Sequence, residues 1–378
     1  MTPDWSLLAP HRPVDSGGDQ YVPPPSNIGE AMARWVLASG APVLVGGPTG
    51  VGKSTELAQA GAQLQPDRAV CLIQLDRLEN MRRLEPERML SRVAQFVGHP
   101  GGDTGQGVSV SDLARVGAAL VGAALATATA VGSVAHSLAS LDSQLPPADA
   151  ALSAVRALAR LSERRVALLI DGLEKVPDGA QARALFDALR PLAEEADLIA
   201  VAPWSLAFGA EANDPLVRQG ERFFFVRAPE VEPVETAPGL PFLLHLLERR
   251  LQISDMGETP AGFHTIARDA AVASGGLPRV FLQLIADCAT YARLHRDADW
   301  PELSDLEDAK ADQRDGMRRG LLPKDLKLIQ WVDGTQGLDL AIDAKVRLLA
   351  HGLLLERVTP AGVVLRPHPL LRPLLREV

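Results

Sequence analysis

Eight consecutive residues near the amino end have the types and the spacing needed to hold a phosphate group. They fit the pattern G-x-x-x-x-G-K-[ST] as Gly47-Pro48-Thr49-Gly50-Val51-Gly52-Lys53-Ser54. Glycines let the backbone turn its N–H groups inward around an anion, and a helix that begins there directs its positive end at the same anion. In such a loop the lysine reaches the β- and γ-phosphates, and the serine hydroxyl binds Mg²⁺. The pattern therefore predicts a site for ATP or ADP with Mg²⁺, formed by Gly47 to Thr55.

The alternative interpretation of this stretch is a glycine turn that matches the pattern by accident. Its context argues against that alternative, because the apolar run Pro42–Gly47 precedes it as a strand would, and a helical pattern follows from Ser54. The chain also contains only six lysines, and Lys53 occupies the required position. We therefore favour the phosphate-binding loop.

A carboxylate that could hold the metal follows a second apolar run. The residues "VALLID" end in Asp171, which we predict to hold Mg²⁺ through water, although alone the run would be an ordinary buried strand ending in a solvated aspartate. Glu174 lies three residues further on and is our candidate to orient or deprotonate an attacking water. Its alternative is a solvent-facing glutamate at the start of a helix.

A further apolar run ends in "APWS". Ser205, or Trp204 through its indole N–H, is positioned to sense a γ-phosphate. The alternative for Ser205 is a capping residue that opens a loop.

The elements that must position these residues alternate between strands and helices. We predict five strands, at Pro42–Gly47, Ala69–Asp76, Arg164–Lys175, Asp197–Leu206 and Arg222–Val231. Helices between them indicate an α/β fold with a parallel sheet covered on both faces. Beyond Pro241 the pattern is helical only. From Leu322 it becomes helix, helix and two short strands, an order that resembles a winged helix.

Composition restricts the classes of function. The 378 residues carry a formal charge of −9, which does not favour general binding to nucleic acid. Cys71 and Cys288 are the only cysteines, and their separation favours a reducing cytoplasm over a disulfide scaffold or a zinc site. The start of the chain does not have the pattern of a signal peptide, and it is rich in Pro, Gly and Ser, so we expect an extended arm.

Four stretches in order, "GGPTGVGKSTEL", "LLIDGLEK", "VAPWSL" and "SGGLPRVFLQLI", resemble the AAA+ and STAND branch of P-loop ATPases. The resemblance runs from about Ile28 to the carboxyl end. It implies that Arg279, in the last stretch, is a sensor that contacts the γ-phosphate; the alternative is a surface arginine at a helix start. The implied domains are an arm (1–26), a P-loop domain (27–236) with a helical insertion (108–145), a helical lid (237–320) and a winged-helix-like domain (321–378).

Two departures from that branch bear on activity. AAA+ proteins usually place a glutamate directly after the aspartate of the second motif, whereas this chain has Gly172, which resembles the STAND pattern and implies slow hydrolysis. An arginine finger has no clear motif. Arg218 and Arg222 are the candidates to reach a neighbouring subunit.

The resemblance implies a switch that hydrolyses ATP slowly and changes conformation or oligomerises with nucleotide state. The resemblance implies as partners further copies of the chain in a homo-oligomer, a separate effector protein as in bacterial conflict systems, or both. One alternative is a DNA-binding ATPase similar to origin-recognition proteins or helicase loaders, although Leu321 to the carboxyl end carries only eight Lys and Arg against six Asp and Glu. A small-molecule kinase is less favoured.

A second alternative, a membrane-associated ATPase, comes from the uncharged segment Val116–Leu141, which is long enough to span a bilayer. Its larger apolar residues recur at helical spacing along one stripe, and it lacks an aromatic belt and flanking basic residues. We therefore favour one or two packed helices, available to contact a partner, over membrane insertion.

Overall fold

The structure is a computed structural model that describes residues 3–8, 21–98, 145–208, 222–253, 259–335, 340–360 and 362–376. The segment Val116–Leu141 and the finger candidate Arg218 lie outside these ranges. The chain divides into two compact units. The sheet unit comprises Gly29–Gly46 and Leu57–Phe224, and the helical unit comprises Met1–Ile28, Gly47–Glu56 and Phe225–Val378.

The sheet unit is built on five strands in the order β2-β3-β4-β1-β5. The pairs β2–β3, β3–β4 and β1–β4 are parallel. The predicted α/β class with a parallel sheet is therefore confirmed. The strands are β1 (Val43–Gly46), β2 (Arg68–Gln74), β3 (Arg165–Asp171), β4 (Ala196–Val201) and β5 (Arg222–Phe225).

The helices associated with the sheet follow from local signals. A proline in the first turn starts α5, and Asp178 caps α6 by accepting a hydrogen bond from the Gln181 amide at 2.7 Å. The apolar faces of α4, α5 and α6 join β3 and β4 in one core. The helices are α1 (Ile28–Ser39), α2 (Lys53–Leu64), α3 (Leu75–Leu78), α4 (Pro86–Gly98), α5 (Pro147–Ser162), α6 (Gly179–Glu195) and α7 (Ser205–Phe208).

A buried carboxylate joins the amino ends of three strands. Asp197 at the start of β4 is 1% exposed; its Oδ2 accepts from Arg68 Nε at 2.5 Å and its Oδ1 from Arg165 Nε at 2.8 Å. Arg68 and Arg165 are register partners in β2 and β3. Because each carboxylate oxygen is committed to a different strand, this triad fixes the register at that end of the sheet.

The helical unit has its own apolar core. Trp5 packs edge-to-face on Phe263 and Trp300, and its indole N–H donates to the Asp299 carbonyl at 3.2 Å. Trp5–Leu8 is a short 3₁₀ helix with both end residues buried, which differs from the extended arm expected there, because its apolar side chains are long enough to join the core.

After the sheet the chain is helical until its last strands. The helices are α8 (Gly239–Leu251), α9 (Phe263–Ala273), α10 (Pro278–Arg296), α11 (Leu303–Arg319), α12 (Pro323–Thr335), α13 (Ile342–Ala350) and α14 (Arg372–Leu375). Strands β6 (Leu354–Thr359) and β7 (Gly362–Pro367) form an antiparallel hairpin after α13. The order helix, helix and two strands agrees with the sequence pattern. That these parts work as a lid and a winged helix stays a prediction.

Over the described ranges, no helix has the length and apolarity needed to cross a membrane. The same part of the chain contains no group of three or more His, Cys, Asp or Glu side chains arranged to hold a metal ion.

Candidate nucleotide-binding site

The phosphate-loop residues begin directly after β1 and lead into α2, whose first residue is Lys53. Gly50 and Gly52 have φ angles of +82° and +107°, which residues with side chains rarely adopt. The first N–H groups of a helix have no acceptor within the helix. The strand, the loop and the helix therefore follow one another in the order that the motif requires, and binding of an anion there stays a prediction.

Lys53 is folded back onto its own loop. Its Nζ donates to the carbonyls of Gly47 and Pro48 at 2.9 and 3.0 Å, and the residue is only 7% exposed. A buried ammonium requires partners of this kind, since an unpaired charge away from water is costly. An anion held at the loop would offer Lys53 a full negative charge in place of two carbonyl dipoles.

Arg279 packs directly on the phosphate loop. Its backbone N–H donates to the Gly50 carbonyl at 3.3 Å. A Cβ placed on Gly50 would lie 2.7 Å from Arg279 Cβ and 3.2 Å from its Cδ. Position 50 therefore accepts only glycine on two independent grounds, its left-handed backbone and the arginine side chain that fills the space above it.

The other side of the loop is bonded to the end of α13. The amide and the hydroxyl of Thr49 both donate to the Ala350 carbonyl, at 3.0 and 2.9 Å. Two residues later, a Cβ on Gly352 would lie 3.1 Å from Leu277 and 3.9 Å from Pro48. Within the helical unit, the loop thus lies against both the segment that carries Arg279 and the helix that precedes the hairpin.

Two side chains from the hairpin region hold the segment Ser274–Arg279. His368 is fully buried; its Nε2 lies 3.1 Å from the Ser274 carbonyl, and its Nδ1 accepts from the Leu370 amide at 3.2 Å. These partners specify the neutral imidazole with its proton on Nε2. Burial lowers the pKa of His368 to about 3, against the effect of the Ser274 carbonyl.

Arg357 in β6 makes the second connection. Its guanidinium donates to the carbonyls of Ala228 and Gly275 at 2.8 and 2.7 Å, and burial lowers its pKa from the ordinary arginine value. Sequence reasoning did not identify either His368 or Arg357. Their partners are 94 and 82 residues away in the chain, so no local spacing could reveal them.

In the sheet unit, the predicted metal-binding aspartate stands at the end of its strand. β3 ends at Asp171, which is register partner to Gln74 in β2 and is 5% exposed. One carboxylate oxygen accepts from the Gly172 amide at 2.9 Å. A carboxylate and a serine hydroxyl are hard oxygen donors of the kind that Mg²⁺ binds, so the chemistry of Asp171 and Ser54 suits that ion.

Glu174 lies in a short 3₁₀ turn, Leu173–Lys175, that follows Gly172. It is half-buried, and helix α6 does not begin until Gly179. The role of Glu174 toward water stays a prediction.

The γ-phosphate sensor candidates follow β4. Ser205 is the first residue of the one-turn helix α7. Trp204 is buried, and its ring stacks on Phe208 with the centroids 5.5 Å apart. The sensor role of either residue stays a prediction. The finger candidate Arg222 lies over the Trp35 and Phe224 rings, at 5.0 and 5.7 Å from their centroids, so its guanidinium is held at the edge strand.

No protein-family model matches the chain, and no curated protein is significantly similar to it. Solved structures are similar over nearly the whole chain. The Orc1 protein of Aeropyrum pernix in complex with DNA is 18% identical, with 99% of this chain and 96% of that chain covered and a TM-score of 0.47. The Thermotoga maritima RuvB Holliday junction branch migration motor is 13% identical, with coverage of 94% and 98% and a TM-score of 0.42.

The Drosophila ORC bound to AT-rich DNA and Cdc6 is 12% identical to this chain, with 93% of each chain covered and a TM-score of 0.29. Identities and TM-scores of this size do not transfer a function. The function proposed below therefore depends on the residues of this chain.

Proposed function

We propose that the protein is a P-loop ATPase of the AAA+/STAND type that acts as a nucleotide-dependent switch. The observation that carries this proposal is the contact of Arg279 with Gly50, which joins an arginine from the helical region to the tip of the phosphate loop. The terminal phosphate of a nucleotide held by this loop would lie near Arg279. Its presence or absence would then change the position of the helical region that carries Arg279.

Each binding residue has a distinct part in the proposed complex. The amides of Gly50 to Ser54 would surround the β-phosphate, and Lys53 would exchange its two carbonyl partners for phosphate oxygens. Ser54 and Asp171 would hold Mg²⁺, which offsets the charge of the phosphates when it is bound. Thr55, one residue further into α2, completes the loop.

Hydrolysis requires a group that orients the attacking water, and we assign this part to Glu174. The group directly after Asp171 is Gly172, which has no side chain to contribute, so we expect slow turnover. Replacing Glu174 with glutamine keeps the shape and removes the basic oxygen. In this variant, the rate of phosphate release should therefore fall below the parent rate while ATP remains bound. Release at the parent rate would show that another residue orients the water.

The switch follows from charge. The γ-phosphate adds acceptors near the loop, and a charge-assisted bond from Arg279 to it is worth about 1.5–3 kcal/mol. A bond made in only one state shifts a two-state equilibrium by roughly ten- to a hundredfold. His368 and Arg357 contact the segment before Arg279. A movement of Arg279 would therefore be transmitted to the hairpin through these contacts.

The proposed consequence of ATP binding is assembly, either as a homo-oligomer or with a separate effector protein. Such an assembly would act in a process such as a bacterial conflict system. Analytical ultracentrifugation with ADP and with a non-hydrolysable ATP analogue should show a larger species with the analogue. Arg279→Ala should bind ADP normally and lose this difference. One particle size in every nucleotide state, with and without the products of adjacent genes, would refute the switch.

A second candidate function is DNA binding, which the order helix, helix and hairpin at the carboxyl end favours. Several cations of this region already have partners: Arg347 pairs with the buried Asp325, and Arg357 donates to two carbonyls. We therefore rank this candidate second. A salt-sensitive shift of duplex DNA by the full chain, stronger with ATP, would reverse the ranking.

A further inference from the structure

The turn that carries Glu174 is connected at both ends to one aspartate in α3, the short helix that follows the neighbouring strand β2. Asp76 follows β2, and its carboxylate forms an ion pair with Lys175, the last residue of the turn. At the other end, Gly172 lies so close to Asp76 that an added Cβ would be 2.8 Å from the Asp76 backbone nitrogen and 2.9 Å from its Cβ. Asp76 therefore contacts the residues on both sides of the segment that holds Glu174.

The turn is held in part by Leu173 and Val176, which are buried in the core of the sheet unit. Two backbone bonds close it, from the Lys175 amide to the Gly172 carbonyl at 3.0 Å and from the Val176 amide to the Leu173 carbonyl at 3.1 Å. Gly172 has a φ of +98°, and a glycine imposes little conformational restriction of its own. The contacts with Asp76 supply a restraint that the local sequence does not.

We propose that Asp76 is a positioning residue for ATP hydrolysis, and that with Lys175 it holds the Gly172–Lys175 turn so that Glu174 meets the attacking water. This inference rests on the proposed function. It also explains Gly172: the space that a side chain at position 172 would enter is occupied by Asp76. Asp76, in the short helix α3 after β2, acts only through the turn, and Glu174 remains the group that meets the water.

Steady-state kinetics of the full chain with Asp76→Ala, Lys175→Ala, Lys175→Arg and the double alanine variant would test the proposal. We expect kcat to fall about tenfold in each single alanine variant, with KM for ATP changed by less than about twofold, because only the placement of Glu174 is altered. The double variant should be no slower than either single one, since the two residues act as a unit. Lys175→Arg keeps the ion pair and should keep the parent kcat.

The matched control is Arg183→Ala, which removes an ion pair with Asp187 on helix α6 of the same unit. It should leave kcat unchanged. A structural role of Asp76 alone would lower thermal stability and the amount of active protein while leaving kcat per nucleotide-binding site unchanged, and this result would overturn the proposal.

Hydrogen exchange at the Lys175 and Val176 amides measures how firmly the turn is held, and the measurement does not require ATP hydrolysis. We expect exchange at least about tenfold faster in Asp76→Ala and Lys175→Ala than in the parent and in the Arg183→Ala control. Unchanged exchange in these variants would show that Asp76 and Lys175 do not restrain the turn. If the parent binds Mg²⁺–ATP but does not hydrolyse it, the proposed enzymatic function fails, and faster exchange would then show a restraint with no catalytic role.

Discussion

Thr49 in the phosphate loop donates both its amide and its hydroxyl hydrogen to one carbonyl, that of Ala350, which lies 301 residues further along the chain. The acceptor belongs to the last residue of α13, where helix carbonyls carry partial negative charge and have no partner within the helix. The helix end and the loop therefore satisfy each other. A nucleotide that moves the loop must either break these two hydrogen bonds or move the end of α13 together with the loop.

The first prediction concerns that connection. Thr49→Val removes the hydroxyl and keeps the amide, so it deletes one neutral hydrogen bond worth about 0.5–1.5 kcal/mol. If the bond holds the ADP-bound arrangement, the release rate of a fluorescent ADP analogue in stopped flow should rise about two- to tenfold. Thr49→Ser keeps the hydroxyl and should release at the parent rate. Equal rates for valine and serine would show that the bond does not resist release.

The second prediction separates backbone strain from the contact with Arg279. Gly50→Ala and Gly262→Ala both place a side chain at positive φ, a cost of roughly 1–2 kcal/mol. Only Gly50 has Arg279 in the space the methyl would occupy, because nothing lies within 4 Å of a Cβ at Gly262. Urea denaturation should show destabilisation in both variants, whereas calorimetry should show weaker ADP binding in Gly50→Ala alone. Parent-like ADP affinity in that variant would contradict the packing argument.

The third prediction concerns Lys53. Lys53→Ala should weaken ATP binding at least about tenfold, because a charge-assisted bond to phosphate is lost, and should leave the fold intact. Titration calorimetry measures the affinity, and circular dichroism checks the fold. Lys324→Ala, at an exposed position in α12, is the charge-matched control. Unchanged affinity in Lys53→Ala would rule out the phosphate loop as the nucleotide site.

The fourth prediction uses the lowered pKa of His368, about 3 in the folded chain against about 6.5 in an unfolded one. Between these two pH values only the unfolded chain binds the proton. The free energy of unfolding therefore rises with pH across this window, and the contribution of His368 to stability decreases as pH falls. From pH 7 to pH 5 the loss is about 2 kcal/mol. His368→Gln does not titrate, and urea denaturation at pH 5 and 7 should show a smaller pH dependence than in the parent. The same dependence in both proteins would exclude His368 as its source.

Local patterns were sufficient to predict the strands and the loop, but the ends of elements depended on tertiary contacts. β3 was expected to reach Lys175 but ends at Asp171, because Gly172 has a left-handed backbone and Leu173–Lys175 forms a 3₁₀ turn. β4 was expected to reach Leu206 but ends at Val201, because Pro203 cannot donate to a ladder and α7 begins at Ser205. β5 was expected to reach Val231 but ends at Phe225, before two further prolines.

The phosphate-loop hypothesis rests on consecutive residues, and the sensor role of Arg279 is implied by the family resemblance; both roles stay predictions. Contacts that depend on folding could not be predicted from the sequence. The contact between Asp76 and Gly172 joins residues 96 positions apart, and neither has a local pattern that indicates the other. The same holds for His368, whose sequence context indicates only a helix start after a proline.

The triad of Asp197, Arg68 and Arg165 lies at the amino ends of β4, β2 and β3, whereas Asp171, Gly172 and Asp76 lie at or just beyond the carboxyl ends of β3 and β2. Slippage of either strand by one residue would remove an arginine from the Asp197 carboxylate, which is 1% exposed. The alignment of these strands is therefore guaranteed at the end opposite the proposed chemistry. For protein engineering, this means that exposed positions in the loops after β2, β3 and β4 can be varied while the triad holds the register at the other end of these strands.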